Sequence, residues 1–235
     1  MQPTTIPISY SCELSHGEMA VESRVFKNWL SRINPLFGVT SITVTVVDFH
    51  STPSTKSVLF IRLKVKTSTS PREQIVELRG GAAAMLVNLI CEGVTYTVLV
   101  QQARIATGDF GFLEVPAGMI DHDSFAGAAA REIEEELGLV FDSSELVNIT
   151  GPRKNEDVGL YLSPGLLDES CMFFLAERHV TRDELSKLQG SICGVAGEGE
   201  HITLVIIPLN DLPAITQDAK TILAWALYHK HKGNF

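Results

Sequence analysis

Apolar residues recur at helical spacing in several parts of the chain. Between Glu18 and Ile33, positions Val21, Val25, Phe26, Trp29, Leu30 and Ile33 predict one amphipathic helix, closed by Asn34-Pro35. Ala126, Ala129, Ala130, Ile133 and Leu137 give a second helix one apolar face, and Gly138 follows where a left-handed C-cap is expected. Thr181–Leu188 reads as a short capped helix, and Asp218–His229 as a closing amphipathic one. Ser41–Val47 and Val58–Val65 alternate apolar and polar residues, which predicts a hairpin across the turn-forming STPSTKS linker. Further strands are predicted at Ile75–Leu78, Ala83–Ile90, Tyr96–Gln102, Phe112–Val115, Leu146–Ile149, Cys171–Ala176 and Ile202–Ile207. Residues 1–74 therefore form an N-terminal helix-and-hairpin region suited to dimerisation or to a lid, and residues 75–235 form the main domain.

Charge changes the picture most on the second of these helices. Glu132, Glu135 and Glu136 fall at i, i+3 and i+4, so their carboxylates share a face distinct from the apolar one. Like charges at that spacing repel by a few tenths of a kcal/mol per pair. A hard divalent cation would offset the repulsion, and a solvated acidic face is the alternative. Arg79, ahead of Gly80-Gly81, and Arg104, at a strand end, are either surface charges or contacts for a diphosphate. Ser163-Pro164-Gly165 is either an ordinary tight turn or a rigid small-residue wall for a ligand. Glu198 and Glu200 lie on a Gly/Glu loop just before an apolar strand, where they are solvated or reach a bound water. His229 and His231, two apart, share no helical face and carry little weight as metal ligands.

Composition narrows the classes. The chain has 235 residues, 45% hydrophobic and 20% charged, an ordinary globular balance. No apolar run approaches the roughly 20 residues of a membrane span, and the N-terminus lacks the pattern of a signal peptide. Cys12, Cys91, Cys171 and Cys193 form no CxxC pair, so a reduced, cytoplasmic protein without zinc is expected. A net charge of −9 argues against nucleic acid as partner, while leaving room for a small phosphate ligand beside a cation and a few arginines.

Arg131-Glu132-Ile133-Glu134-Glu135-Glu136-Leu137-Gly138-Leu139 resembles the second half of the Nudix box, matching at every defined position. The first half departs. Counting back from Arg131 puts Asp123 at the box Glu and Ala117 at the box Gly; counting forward from Gly118 puts Ser124 at the box Glu. The turn is one residue shorter than the common box. Arg79-Gly80, Gln102 with Arg104, Pro116-Ala117-Gly118-Met119, Ser163-Pro164-Gly165, Gly199-Glu200 and Asp218-Ala219-Lys220 extend the resemblance over most of residues 20–230. The chain is similar to the nucleoside-diphosphate-sugar branch of the Nudix hydrolases, the ADP-ribose pyrophosphatase type, and within it to plant-type ADP-sugar and UDP-sugar diphosphatases.

That resemblance implies an α/β fold: a Nudix α/β/α sandwich with a mixed β-sheet, preceded by an N-terminal helix and strands, in a homodimer. It implies that Glu132, Glu135, Glu136 and the Ala117 carbonyl hold Mg²⁺ or Mn²⁺, and that Glu198 or Glu200 activates water. Arg131 would orient the glutamates. Arg79 and Arg104 would grip the substrate, with Ser163, Pro164 and Gly165 lining its site. The implied reaction is hydrolysis of ADP-ribose, ADP-glucose or UDP-glucose to a nucleoside monophosphate and a sugar phosphate. The short turn leaves a second reading open, a Nudix domain that binds nucleotide-sugars as a sensor without cleaving them.

Overall fold

The computed structural model describes residues 6–51, 56–120, 125–152, 158–194 and 202–234. Contacts divide the chain into two compact units, Met1–Gly80 with Tyr161–Glu169, and Gly81–Leu160 with Ser170–Phe235.

In the first unit, β1 (Ile8–Tyr10) is followed by α1 (Leu14–Glu22) and α2 (Arg24–Arg32). Three strands then follow: β2 (Val39–Ser51), β3 (Lys56–Thr67) and β4 (Ser70–Leu78). They form a sheet in the order β1-β2-β3-β4, with β1 parallel to β2 and the other neighbours antiparallel. Alternation along β2 and β3 delivers Ile42, Val44, Ile61, Leu63 and Val65 to one face, where they bury with Ala20, Phe26 and Leu78.

Two expectations are corrected here. The single helix over Glu18–Ile33 is two helices, broken at Ser23. The serine backbone is extended (φ −64°, ψ 151°), and its hydroxyl accepts from the Phe26 amide at 3.2 Å while donating to the Ala20 carbonyl at 2.6 Å. A side chain that competes for backbone hydrogen bonds favours such a cap over a helix interior. The apolar spacing runs unbroken through the break because both helices cover the same core. The hairpin is likewise part of a larger sheet. Ile75–Leu78 is the end of β4, which pairs with β3 (Ile61 opposite Leu78, Leu63 opposite Val76).

The segment Tyr161–Glu169 returns to this unit from far along the chain. The Glu77 amide donates to the Leu166 carbonyl at 2.8 Å, and the Asp168 amide donates to the Glu77 carbonyl at 3.0 Å. Asp168, nearly buried, accepts from the amides of Arg79 (2.7 Å) and Gly80 (3.1 Å) and from the Arg32 guanidinium (3.0 Å). Such a carboxylate tolerates burial because three donors replace its water.

The second unit begins with β5 (Gly81–Cys91), β6 (Val94–Arg104), β7 (Asp109–Glu114), β8 (Ala117–Met119) and α3 (Phe125–Leu137). Then come β9 (Val147–Asn148), β10 (Leu160–Tyr161, of which Tyr161 belongs to the first unit), β11 (Ser170–His179), α4 (Arg182–Leu188), β12 (Ile192–Cys193), β13 (Ile202–Pro208), α5 (Leu212–Ile215) and α6 (Ala219–His231). The sheet path runs β11-β5-β6-β13-β12. The β11–β5 ladder is parallel and the rest antiparallel, which makes the sheet mixed.

β5 is central, and its apolar run is buried on both faces. Ala83, Met85, Val87 and Leu89 pack with Ala129, Ile133 and Leu137 of α3 and Leu185 of α4. Ala82, Ala84, Leu86 and Asn88 point the other way and are equally buried, and α6 also lies against β5. This is the α/β layering expected. Asp142 and Thr181 each form a capping box, with Glu145 and Glu184 respectively. Among the described residues no helix is long and apolar enough to cross a membrane.

Replacing Ser23 with Ala removes the cap between α1 and α2 and is expected to cost about 1 kcal/mol. Urea denaturation should show a lower midpoint at an unchanged slope.

Candidate active site

The site is built around the crossing from β7 into β8. β7 ends at Glu114, the chain passes through Val115 and Pro116, and Ala117 opens β8 against the middle of β5, opposite Ala84. The Pro116 carbonyl accepts from the Met85 amide at 2.9 Å. Proline suits this place because its missing N–H would otherwise need a partner in a buried strand crossing.

α3 packs on the same strand through Ala129, Ile133 and Leu137. Gly138 ends it as the sequence predicts, with φ +65° and its amide donating to the Glu134 carbonyl at 2.9 Å. Glu134 and Glu135 are exposed, and Glu136 is 8% exposed. The buried Glu136 carboxylate accepts from the Ala117 amide at 3.2 Å. That bond brings together two of the residues singled out in the sequence, the opening residue of β8 and the acid in the last turn of α3. The side chains of Arg131 and Glu132, and the residues Asp123, Ser124, Glu198 and Glu200, lie outside the described ones. Among the described residues no three acidic, histidine or cysteine groups stand close enough to hold a metal ion.

A second cluster lies immediately upstream and was not foreseen. Glu114 is 2% exposed. Its Oε1 accepts from Arg104 Nε and Nη2, both at 2.6 Å, and from Gln102 Nε2 at 3.2 Å. Its Oε2 accepts from Lys220 Nζ at 3.1 Å. Lys220 also reaches Asp218 at 3.1 Å. Burial pulls the Lys220 ammonium toward its neutral form, but the adjacent Asp218 and Glu114 carboxylates outweigh it, and the pKa lies above the ordinary lysine value. Arg104, proposed to grip substrate, is therefore oriented by a buried carboxylate through two of its nitrogens. Its Nη1 is the nitrogen that these bonds leave to other uses.

The remaining sequence-derived residues sit in the first unit. Arg79 follows β4, half-exposed, and pairs with Glu169 through Nη1 at 3.1 Å. Ser163, Pro164 and Gly165 form an exposed turn in which the Ser163 carbonyl accepts from the amides of Leu166 (3.1 Å) and Leu167 (2.9 Å). Two acids behind the turn, Asp168 and Glu169, therefore have definite tasks: one holds the backbone at Arg79, the other its guanidinium.

The pattern of the NUDIX domain matches residues 81–226, a span that opens at the first residue of the second unit. The chain belongs to the Nudix family. Over 242 aligned residues it is 32% identical to Nudix hydrolase 14, chloroplastic, of Arabidopsis thaliana, covering 97% of this chain and 77% of that protein. It is 30% identical over 165 residues to the GDP-mannose pyrophosphatase of Yersinia pestis (strain Pestoides F), covering 67% of this chain and 73% of the relative. The crystal structure of an ADP compounds hydrolase superposes with a TM-score of 0.49 at 17% identity, over 83% of this chain and 97% of that one. The chain is thus a Nudix hydrolase, from a family whose members generally use divalent metal ions. Carboxylate and carbonyl oxygens are the donors a hard divalent cation prefers, so Glu135, Glu136 and Ala117 fit such an ion in kind.

The raised Lys220 pKa has a stability consequence. A lysine held above its unfolded value near 10.5 contributes stability below that pH and loses it as pH rises through the folded pKa. The stability difference between the wild type and Lys220→Met, from urea denaturation at pH 8 to 11.5, should be constant at the lower end. It should shrink above about pH 10.5.

Proposed function

We propose that the protein hydrolyses the diphosphate linkage of a nucleoside-diphosphate sugar, with ADP-ribose, ADP-glucose and UDP-glucose as candidate substrates. The observation that carries the reading is the complete Arg131–Leu139 half-box on α3, with its last acid, Glu136, bonded to the amide of Ala117. Support also comes from the relatives, one of which is named for GDP-mannose. GDP-mannose therefore joins the substrates to be screened.

In this reading Glu132, Glu135, Glu136 and the Ala117 carbonyl hold Mg²⁺ or Mn²⁺. Held there, such an ion would neutralise charge on the diphosphate and polarise its phosphoryl oxygens. Glu198 or Glu200 takes a proton from the attacking water. One P–O bond of the anhydride breaks as a new one forms to the water oxygen, leaving a nucleoside monophosphate and a sugar phosphate. Arg104 and Arg79 supply guanidinium contacts to the phosphates, and Ser163, Pro164 and Gly165 line the sugar or base. A homodimer built through the N-terminal region belongs to the same reading.

Glu136→Gln keeps a side chain that can accept from Ala117 but removes its charge. Mg²⁺-dependent turnover of ADP-ribose and ADP-glucose should fall about 100-fold or more, with the melting temperature little changed. Full Mg²⁺-dependent activity in that variant would refute the assignment. Nucleotide-sugar binding without turnover at any Mg²⁺ concentration would favour the sensor instead.

A further inference from the structure

The start of α6 makes a dense set of contacts that the proposed chemistry leaves unused. Asp218 caps the helix, its Oδ2 accepting from the Thr221 amide at 3.0 Å and hydroxyl at 2.7 Å. The Thr221 hydroxyl, its proton thus committed, accepts from the amide of Val115 at 2.8 Å. Thr216 donates its hydroxyl to the Leu113 carbonyl at 2.6 Å and accepts from the Asp218 amide at 3.0 Å. Between these two backbone anchors, Lys220 holds the Glu114 side chain. Leu113, Glu114 and Val115 are thus each fixed by residues 216–221.

Thr221 and Val115 are fully buried, so water cannot replace the hydroxyl. Two residues beyond Val115 comes Ala117, already held on its other side by Glu136. A capping interaction needs Asp218 and the first-turn amides alone. The additional bond to Val115 and the ion pair to Glu114 reach across about 100 residues of sequence.

We propose that Thr221 is a positioning residue for the Val115–Ala117 segment, and that Lys220 positions Arg104 through Glu114. The Thr221 hydroxyl, oriented by Asp218, fixes where the Ala117 carbonyl stands relative to the Glu136 carboxylate. Lys220 takes one oxygen of Glu114 and leaves the other facing the Arg104 guanidinium. The proposal rests on the diphosphatase reading, since a positioned metal donor matters only where a metal is held.

The two roles separate experimentally. Thr221→Val keeps the shape and removes the acceptor. Full-length protein titrated with Mn²⁺ alone, followed by the electron paramagnetic resonance signal of the free ion, should show a Kd about 10-fold weaker in this variant. Its kcat on the best substrate should fall about 10-fold with KM within about 3-fold, and Thr221→Ser should restore both to within about 2-fold. Lys220→Met should do the opposite, raising KM about 10-fold with the Mn²⁺ Kd within about 2-fold. Wild-type Mn²⁺ affinity and kcat in folded Thr221→Val would overturn the role of Thr221. Should Thr221→Val not fold, Thr221→Ala, which also lacks the acceptor, takes its place, and wild-type Mn²⁺ affinity and kcat there would overturn the role of Thr221. An unchanged KM in Lys220→Met would overturn the clamp. Wild-type protein that binds no Mn²⁺ and cleaves no nucleoside-diphosphate sugar would sink the diphosphatase reading, and the positioning role with it.

Discussion

A glutamate almost wholly removed from water needs fixed donors, and among the described residues the amide of Ala117 is one that Glu136 meets. Much of the second unit can be understood as what it takes to make this one bond. The amide has to be presented by a strand crossing that lies on β5, and the carboxylate has to come from a helix packed on the same strand. The small, apolar face of α3 allows that packing, while Gly138 ends the helix two residues after Glu136, so that Glu136 sits in its last turn. Glu134 and Glu135, on the same helix, are exposed.

The crossing is itself anchored from upstream by electrostatics that sequence patterning does not advertise. Glu114 is buried between a guanidinium and an ammonium, so that each of its oxygens has a cationic partner. Two nitrogens of Arg104 are consequently engaged by a buried carboxylate. An arginine already oriented loses less freedom on meeting a phosphate than a free one does. In the first unit Asp168 and Glu169 do similar work for Arg79, one on its backbone and one on its guanidinium.

The local structure was well written in the sequence wherever one element decides it. The stripe Ala129-Ile133-Leu137, the glycine after α3, the cap at Thr181 and the apolar run of β5 all stand where period and capping chemistry put them. What depends on partners far along the chain was hidden. Ser23 looks like one polar position on an amphipathic helix until its hydroxyl is seen to prefer the Phe26 amide. The return of Leu166–Asp168 to β4 joins residues about 90 apart, and no local signal announces it. For the site, the half-box pointed to Glu136 and Ala117, whereas Glu114 read as one more residue of a short strand. A lone acid between Leu113 and Val115, just ahead of a proline, was the available clue, together with Asp218 at a helix start.

The most direct measurement is 31P NMR of the full-length protein with a single nucleoside-diphosphate sugar in water enriched in 18O, with and without Mg²⁺. ADP-ribose, ADP-glucose, UDP-glucose and GDP-mannose would be taken in turn. Metal-dependent cleavage of the anhydride predicts a nucleoside monophosphate and a sugar phosphate in equal amounts, with one 18O in one of the two products and no turnover without the metal. No cleavage of any of the four at any Mg²⁺ concentration, or release of inorganic phosphate instead, would contradict it.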